Sequence, residues 1–518
     1  MILTLLLLTW LAIVAYIWRY ASQAHKFWSD RGVPHVTPLL PIIGNAWLFI
    51  KSMSHFDVFQ KILAEFPHEP LVGAYVLTIP VLIVQDRALV EHVLIKDFHH
   101  FTDRVFPFGQ KRPHELNLLN MRGKVWRAYR NKFTPMFTTS KVRNMLPQMK
   151  DLALVLLNVV QQKSDGVDLK ETFVQYSLDV VASTAFGLDT GILKEEKESV
   201  FRRMIKKAHR MTTPLFISYI IHEFLPPIAK RFRPSHMRSD VVEYFSNFVK
   251  EALRSRKNGD IKRNDFLQLM VALQEEGFLE VEQEECDAYL NLQPDDKKSD
   301  QLELNDDVMI GQALMFLFVG LDATSTILMY LCYELAMNPD VQEKVRAEVK
   351  EVVRITNNMD YDTVKEMHYL EQCIKETLRL HTLSPALIRV CSSEYQFPGT
   401  EVTIPAGVKL FIPISTMHLN EDVYPEPGKF DPDRFSPETR SPPCSYLPFG
   451  DGPRMCLAIK FVMTEMKCVI AKLLMRYTIK LHSSTEIPLK PYEPSVSIAK
   501  CKRRRILFDL ERLPGATC

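Results

Sequence analysis

The residues with the plainest chemical meaning form one run, Pro448-Phe449-Gly450-Asp451-Gly452-Pro453-Arg454-Met455-Cys456-Leu457-Ala458, whose skeleton is F-x-x-G-x-R-x-C. An apolar-periodic stretch, Ile459 to Leu474, follows directly and predicts a helix that starts just behind the cysteine. A sulfur placed there meets free backbone N–H groups and the positive end of the helix dipole, both of which stabilise a thiolate. Two glycines let the loop pass close to a flat ligand without Cβ clashes. Arg454 supplies a fixed charge for a ligand carboxylate, and Phe449 can cover the sulfur from water. These are the parts of an axial cysteine ligand to haem iron, with Cys456 as the metal ligand. Such a thiolate pushes electron density onto the iron and favours O–O cleavage. By background residue frequencies the pattern arises by chance in about one chain of this length in a thousand. The plain alternative is a Gly-Pro turn with an incidental cysteine.

A second candidate lies in the middle of a long apolar segment. Asn305 can cap a helix there, and Asp306 and Asp307 suit its positive N-terminal end. The segment stops at Asn338-Pro339, where proline cannot continue the hydrogen-bond ladder. Apolar residues continue almost all round it, through Met315, Phe316, Leu317, Phe318 and Val319, so it belongs in the middle of a large protein or in a membrane. Asp322, Thr324, Ser325 and Thr326 interrupt it halfway. Polar groups at the centre of a buried helix need partners, which makes the interruption a functional candidate. The competing reading is that the hydroxyls bond back to their own carbonyls.

The elements that must position these groups make up a chain of 518 residues, with 64 Lys and Arg against 62 Asp and Glu for a formal charge of +2. That near-balance gives no support to a nucleic-acid binder, which carries a basic surplus. Hydrophobic residues at 47% and charged residues at 24% exclude a disordered, collagenous or disulfide-scaffold protein. The nine cysteines are odd in number, lie in the C-terminal half and include no CxxC pair. A disulfide framework and a zinc site are therefore poorly supported, and the usage suits a catalytic part facing a reducing compartment. Neither G-x-S-x-G nor H-E-x-x-H is present, which disfavours a hydrolase. Much of Phe56 to Lys257 reads as helix, broken by loops near Phe101–Met121 and Thr212–Pro227, and strand-like pieces occur at Leu71–Val84 and Ile506–Leu510. The acidic stretch Glu275 to Asp307 reads as a solvated loop.

Residues 1–18 carry no side-chain charge and are long enough to cross the roughly 30 Å hydrocarbon layer as a helix. Ser22-Gln23-Ala24 is a passable cleavage site, but no Lys or Arg precedes the apolar run, so a retained anchor is the better reading. Arg19, Lys26 and Arg31 all follow the run, which places the rest of the chain on the cytosolic side. Residues 19–45, with Pro34, Pro38, Pro41 and Gly44, should form a stiff strap, and residues 46–518 the catalytic domain.

The cysteine loop closely resembles the haem-thiolate loop of the cytochromes P-450. The resemblance extends over essentially the whole chain after the anchor and is closest to microsomal enzymes of animals, particularly insects. It implies a mainly α fold with small β-sheets and an N-terminal transmembrane anchor helix. It also implies haem b, held by the Cys456 thiolate, and insertion of one oxygen atom from O2 into a lipophilic xenobiotic or endogenous molecule. Lys375-Glu376-Thr377-Leu378-Arg379 resembles the family's E-x-x-R helix, and Phe430-Asp431-Pro432-Asp433-Arg434-Phe435 the segment that adds a second arginine. The resemblance implies a buried structural network of Glu376, Arg379 and Arg434. Trp126-Arg127-Ala128-Tyr129-Arg130 resembles the family's W-x-x-x-R. Trp126 and Arg130, with Arg389 and Arg454, are thereby assigned to the haem propionates.

Val319-Gly320-Leu321-Asp322-Ala323-Thr324 resembles the family's A-G-x-[DE]-T-[TS], but Ala323 stands where threonine is usual. That hydroxyl normally helps pass protons towards the reacting oxygen. The expected catalytic groups are therefore Asp322, acting through water, and Thr324. The alternatives are a peroxide isomerase or dehydratase that does not activate O2, and a haem sensor without turnover. The resemblance places the apolar substrate pocket at Phe106, Phe108, Phe216, Phe316, Val319, Leu383 and Val496. It implies electrons from an NADPH-dependent flavoprotein reductase, with cytochrome b5 as a second partner, since no GxGxxG occurs in the chain. Lys124, Arg127, Lys132, Lys460 and Lys467 could form the basic docking patch. The implied location is the endoplasmic reticulum membrane with the catalytic domain on the cytoplasmic side.

Overall fold

A computed structural model describes residues 2–37, 39–40, 42–48, 55–104, 112–163, 166–195, 198–208, 215, 218, 221, 231, 235, 237–259, 263, 265–280, 301–487, 489 and 506–515. The N-terminal helix, α1, runs Ile2–Ala24 and so continues past the expected end of the anchor at residue 18. Nothing between Arg19 and Ala24 breaks a helix, and Ala21 is buried against the body. The strap docks firmly. Trp28 is fully buried, its backbone N–H donates to Tyr75 Oη at 2.9 Å, and its indole N–H donates to the Ala74 carbonyl at 3.0 Å. His35 then pairs in parallel with Gly73. A Cβ on Gly73 would lie 2.5 Å from the Trp28 ring, so only glycine lets the strand pass under the indole.

Strands β1 (Leu71–Val76) and β2 (Ile79–Val84) form an antiparallel hairpin within the stretch that the sequence reads as strand-like. Two later strands complete that sheet, Leu387–Val390 and Lys409–Ile412, in the spatial order β1, β2, Lys409–Ile412, Leu387–Val390. Val390 also pairs antiparallel with Asp103, which stitches the 101–104 segment to the sheet edge. Tyr477–Leu481, Leu507–Arg512 and the short Val167–Asp168 make a three-stranded sheet. Phe278–Glu280 pairs with Gln301–Glu303 across the acidic stretch, whose middle lies outside the described residues.

The helical body is arranged round α5, Asp306–Met337, which follows α2 (Gly123–Phe133), α3 (Thr139–Gln161) and α4 (Leu169–Phe186), with the Ser239–Lys257 helix also packed on it. Asn305 caps α5 as its side chain predicts, accepting from the Val308 N–H at 3.2 Å. Its apolar surface is mostly buried, so α5 is a core helix. Behind it lie α6 (His368–Leu380) and α7 (Ile459–Arg476), the helix that follows the cysteine loop. The architecture is mainly α with small sheets, in agreement with the sequence reading.

Candidate active site

The cysteine loop is shaped by two backbone devices. The Cys456 N–H donates to the Phe449 carbonyl at 2.8 Å, folding the run back on itself. Gly452 has φ +69°, and a Cβ there would lie 1.9 Å from the Leu94 carbonyl oxygen. Gly452 is thus required by the approach of another backbone. Gly450 has φ +72°, which the turn requires, and a Cβ there would meet Leu387 and Met455 only at 3.9 Å. Cys456 is part-buried at the start of α7. Burial pushes its thiol up, while the Ala458 backbone hydrogen bond and the charges of Arg104 and Arg130 pull it down.

Four arginines cluster near the loop, with Arg104 and Arg130 acting on the sulfur and Arg389 and Arg454 joined to them. Arg389 sits on the sheet edge opposite Leu410 and is 1% exposed. The Asp103–Val390 bridge brings Arg104 next to it. Arg104 Nη2 donates to the Arg454 carbonyl at 2.6 Å, and Arg454 Nη2 donates to the Met121 carbonyl at 2.6 Å. Arg130 comes from α2, whose Trp126 lies under the Arg454 guanidinium at 4.2 Å. The Asp103 carboxylate nearby accepts from the Gly123 N–H at 2.9 Å and from Thr102. Burial, followed by the charge of Arg104, lowers Arg389 to about 9; burial and the neighbouring arginines lower Arg454 to about 8.

These cations are not satisfied from within the protein. Arg389 Nε and Nη2 and Arg454 Nε are buried with no hydrogen-bond partner among the described residues. Buried guanidinium nitrogens without acceptors are costly, and a dianionic ligand would complete them. A haem with two carboxylates and an iron seeking a thiolate fits this donor set. Arg389, Arg454, Arg130 and Trp126 are thus brought together as the sequence predicts. Arg104 was missed, because a lone arginine before a loop carries no periodicity or motif of its own.

The brace is a separate assembly in which Glu376 and Arg379 answer each other, while Arg434 Nε has no hydrogen-bond partner among the described residues. Glu376 and Arg379 are both fully buried and pair through two hydrogen bonds of 2.7 Å each. Arg379 also donates to the carbonyls of His418 and Pro427 at 2.8 Å and of Lys429 at 3.2 Å. Glu376 accepts from the Asp431 N–H at 2.9 Å and has Arg434 Nε at 3.4 Å. His418 Nε2 accepts from the Leu447 N–H at 2.8 Å, which ties the network to the strand of chain entering the cysteine loop. Burial, then the Arg379 charge, lowers His418 to about 3, so it is neutral and can accept.

On α5 the buried surface opens halfway. Val319 is 44% exposed, and Gly320 and Ala323 beside it are part-exposed. Ala323 therefore lies on the open stripe. The helix is unbroken through this point, so Thr324 turns about 100° away and is 2% exposed. Asp322 is held from the side: Lys170 of α4 donates to its carboxylate at 3.0 Å and its carbonyl at 3.1 Å, to Ser325 Oγ at 2.9 Å, and to Thr326 Oγ1. Ser325 and Thr326 also bond back to α5 carbonyls at 2.7 and 2.6 Å. Lys170 is a second residue the sequence did not reveal.

Of the expected pocket residues, Val319 lines the opening and Leu383 is half-buried against the core. Phe316 is engaged by other rings, lying 4.3 Å from Phe266 and 5.6 Å from Phe137. Phe106, Phe108, Phe216 and Val496 lie outside the described residues. In the basic patch, Lys467 is corrected: it is 4% exposed and bonds Glu371 at 2.6 Å, because α7 is buried on that face. Lys132 is paired with Glu276 and Lys460 bonds Thr139.

A model of the family described as Cytochrome P450 matches residues 34–507. The chain is 32% identical over 507 residues to "Cytochrome P450 6a2" of Drosophila melanogaster, covering 95% of this chain and 96% of that protein. It is 33% identical over 500 residues to "Probable cytochrome P450 6a13" of the same fly, covering 94% and 95%. It is 29% identical over 490 residues to "Cytochrome P450 6l1" of Blattella germanica, covering 92% and 91%.

Proposed function

The chain belongs to the cytochrome P450 family, and from that premise we propose how this haem-thiolate monooxygenase holds its cofactor and what it oxidises. The family uses haem, O2 and a redox partner. We infer that Cys456, as thiolate, is the axial ligand, and that Arg389, Arg454, Arg130 and Trp126 hold the propionates of haem b, with Arg104 added to the set. The bound haem supplies oxygen activation. The observation that carries the assignment is the set of orphaned guanidinium nitrogens on Arg389 and Arg454 beside the cysteine loop.

The remaining roles are played by this chain's own residues. Glu376, Arg379 and Arg434 brace the loop without touching substrate. Asp322, oriented by Lys170, positions water towards the open stripe at Ala323, where no side-chain hydroxyl stands. Thr324 is buried against the core in the unbroken helix, so its contribution is to hold that register. The apolar opening at Val319 favours a lipophilic substrate. An NADPH-dependent flavoprotein reductase, with cytochrome b5 as a second donor, docks through the exposed basic residues Lys124 and Arg127. The setting is the endoplasmic reticulum membrane, with α1 as anchor.

The test is the absorption spectrum of the reduced, carbon monoxide-bound protein, then reductase-supported, NADPH-dependent oxidation of lipophilic probes. A thiolate-type Soret band that disappears in Cys456→Ser is the expected result. Retention of haem, band and turnover in that variant overturns the assignment. Peroxide rearrangement without O2 uptake would favour the isomerase reading instead.

A further inference from the structure

The end of α6 carries a histidine for which the cofactor site has no use. His381 follows Leu380 directly, and its backbone N–H closes the helix on the Thr377 carbonyl at 2.8 Å. Its ring crosses to α5. His381 Nε2 lies 2.6 Å from Glu334 Oε1, and the ring lies flat on Tyr330, with centroids 4.1 Å apart and planes 4° from parallel. Tyr333 meets the same ring edge-on at 6.4 Å. Glu334 and Tyr330 are both buried, so hydrogen bond and stack are shielded from water. A bond to a carboxylate is stronger in such surroundings than on the surface.

The chain that follows depends on this contact. Between His381 and the strand Leu387–Val390 there is neither helix nor strand. Among the described residues, Thr382, Leu383 and Ser384 make no backbone–backbone hydrogen bond, and Ser384 Oγ bonds only locally, to the Ala386 carbonyl at 2.8 Å. The far end is fastened. The Pro385 carbonyl accepts from the Ser415 N–H at 3.2 Å, and Leu387 pairs with Ile412. At the near end only the α6 terminus and the His381 side chain hold the segment. Leu387 stands two residues before Arg389 on one strand, so both face the same side of the sheet. A Cβ on Gly450 would meet the Leu387 side chain at 3.9 Å, which puts Leu387 at the cysteine loop. The segment thus spans from a side-chain contact on α5 to that loop, with the half-buried Leu383 between. Glu334 itself lies about three turns beyond Ala323 on α5.

We propose that the His381–Glu334 hydrogen bond is a latch that draws the 381–387 segment against α5 and so sets the width of the apolar space between Leu383, Leu387 and the open stripe at Val319. His381 and Glu334 are positioning residues, which touch neither substrate nor cofactor. An apolar pair would pack here as well, but a hydrogen bond has direction and fixes one placement of the segment. With the latch made, the site favours compact lipophilic molecules. With it released, the segment backs away from α5 and long-chain molecules gain. The inference rests on the haem-thiolate reading of the site.

The experiment uses the full-length, haem-loaded protein at one fixed detergent concentration. N-methylimidazole and N-dodecylimidazole are titrated against it, and the Soret shift on iron ligation reads affinity without turnover. His381→Phe keeps a ring on Tyr330 and removes the hydrogen bond. Glu334→Leu removes it from the other side, and Glu334→Gln keeps an acceptor oxygen for the ring. The dodecyl-to-methyl affinity ratio should rise about fivefold in His381→Phe and in Glu334→Leu, the worth of one hydrogen bond. It should rise no further in the double variant, and Glu334→Gln should keep the wild-type ratio. The methylimidazole affinity and the carbon monoxide-bound Soret band should not move. A ratio that stays level or falls in the two bond-breaking variants overturns the latch. So does an additive rise in the double variant, or a Glu334→Gln ratio that follows Glu334→Leu. If His381→Phe does not load haem, Glu334→Leu carries the test. Loss of haem or of the thiolate band in both marks a purely structural role and overturns the latch as well. Absence of that band in wild type overturns the haem-thiolate reading, and this inference with it.

Discussion

Two groups of buried arginines adjoin the cysteine loop, and they differ in how fully they are answered. Arg379 has a bidentate carboxylate and three carbonyls within 3.2 Å. Among the described residues Arg389 has one side-chain hydrogen bond, to the carbonyl of the preceding Ile388 at 2.9 Å, and two buried nitrogens left over. Both side chains are about equally hidden, at 1% exposure. Burial alone therefore does not distinguish scaffold from site. For this pair the number of acceptors supplied by the chain does: Arg379 is completed by the fold and Arg389 is not, although Arg434 of the brace also keeps a buried Nε with no hydrogen-bond partner among the described residues, so it is the clustering of such nitrogens on Arg389 and Arg454 that marks the site.

The largest expected effect breaks the group around Arg379. Glu376→Gln leaves Arg379 and Arg434 facing a neutral amide in a buried site, and losing one partner of a buried pair costs about 3–5 kcal/mol. Urea unfolding should show that loss with or without haem, and most of the protein should fail to load cofactor. Equal stability of variant and wild type would refute the structural role. The next effect has the opposite sign in the empty protein. Arg389→Met removes a buried charge that lacks acceptors, so the haem-free chain should be as stable as wild type or more so. Haem affinity should fall by about ten- to a hundredfold, the worth of one charge-assisted hydrogen bond. Competition for haem with an apo-globin measures this. If the haem-free Arg389→Met protein is destabilised as Glu376→Gln is, the distinction between the two groups fails.

That distinction explains what the sequence made legible. The cysteine loop and the Glu376–Arg379 pair were readable because their geometry is local: a turn feeding a helix, and two residues on one helical face. The strap's path was readable from its prolines, though not the depth at which Trp28 docks. Arg104 was not readable, since it reaches the site only through pairing of Asp103 with Val390 far along the chain. Lys170 was hidden for the same reason, joining Asp322 from another helix. Lys467 looks like a surface charge in sequence, whereas α7 is buried on nearly every side and gives that lysine an internal carboxylate. Local chemistry is visible in sequence; acceptor counts depend on long-range packing.

Glu465 extends the comparison to an acid. It lies on α7 at 1% exposure, with Ser177 donating to it at 2.7 Å, and burial raises it to about 8. Tyr176 and Cys468 are close by, and burial raises both as well, so neither supplies a countercharge. The sign follows from linkage. The folded value lies above the unfolded one, so the contribution to stability is complete below the unfolded value of about pH 4.3. It is lost as pH rises, until the group ionises in the fold near 8. Within that window wild type should lose up to about 1.4 kcal/mol per pH unit from this group. Glu465→Gln should flatten the profile while keeping the bond from Ser177. Parallel profiles for the two proteins would show that the carboxyl ionises freely in the fold.

The smallest effect concerns the open stripe of α5, where an acceptor count is incomplete in a different sense. Ala323 offers no hydroxyl, Thr324 turns into the core, and Asp322 is committed to Lys170. Ala323→Thr should place a hydroxyl on the stripe without overpacking, since the position is part-exposed. Product formed per NADPH consumed should stay level or rise by about twofold, the low end of one hydrogen bond's worth. Lys170→Met should lower the same ratio by freeing Asp322 to leave its present orientation, and should do so with little change in substrate binding, because Lys170 lies to the side of the opening. The pair separates two accounts of proton delivery. If Ala323→Thr lowers coupling and Lys170→Met leaves it unchanged, the water held by Asp322 is not the route, and protons reach the stripe from a group elsewhere in the pocket or from the substrate itself.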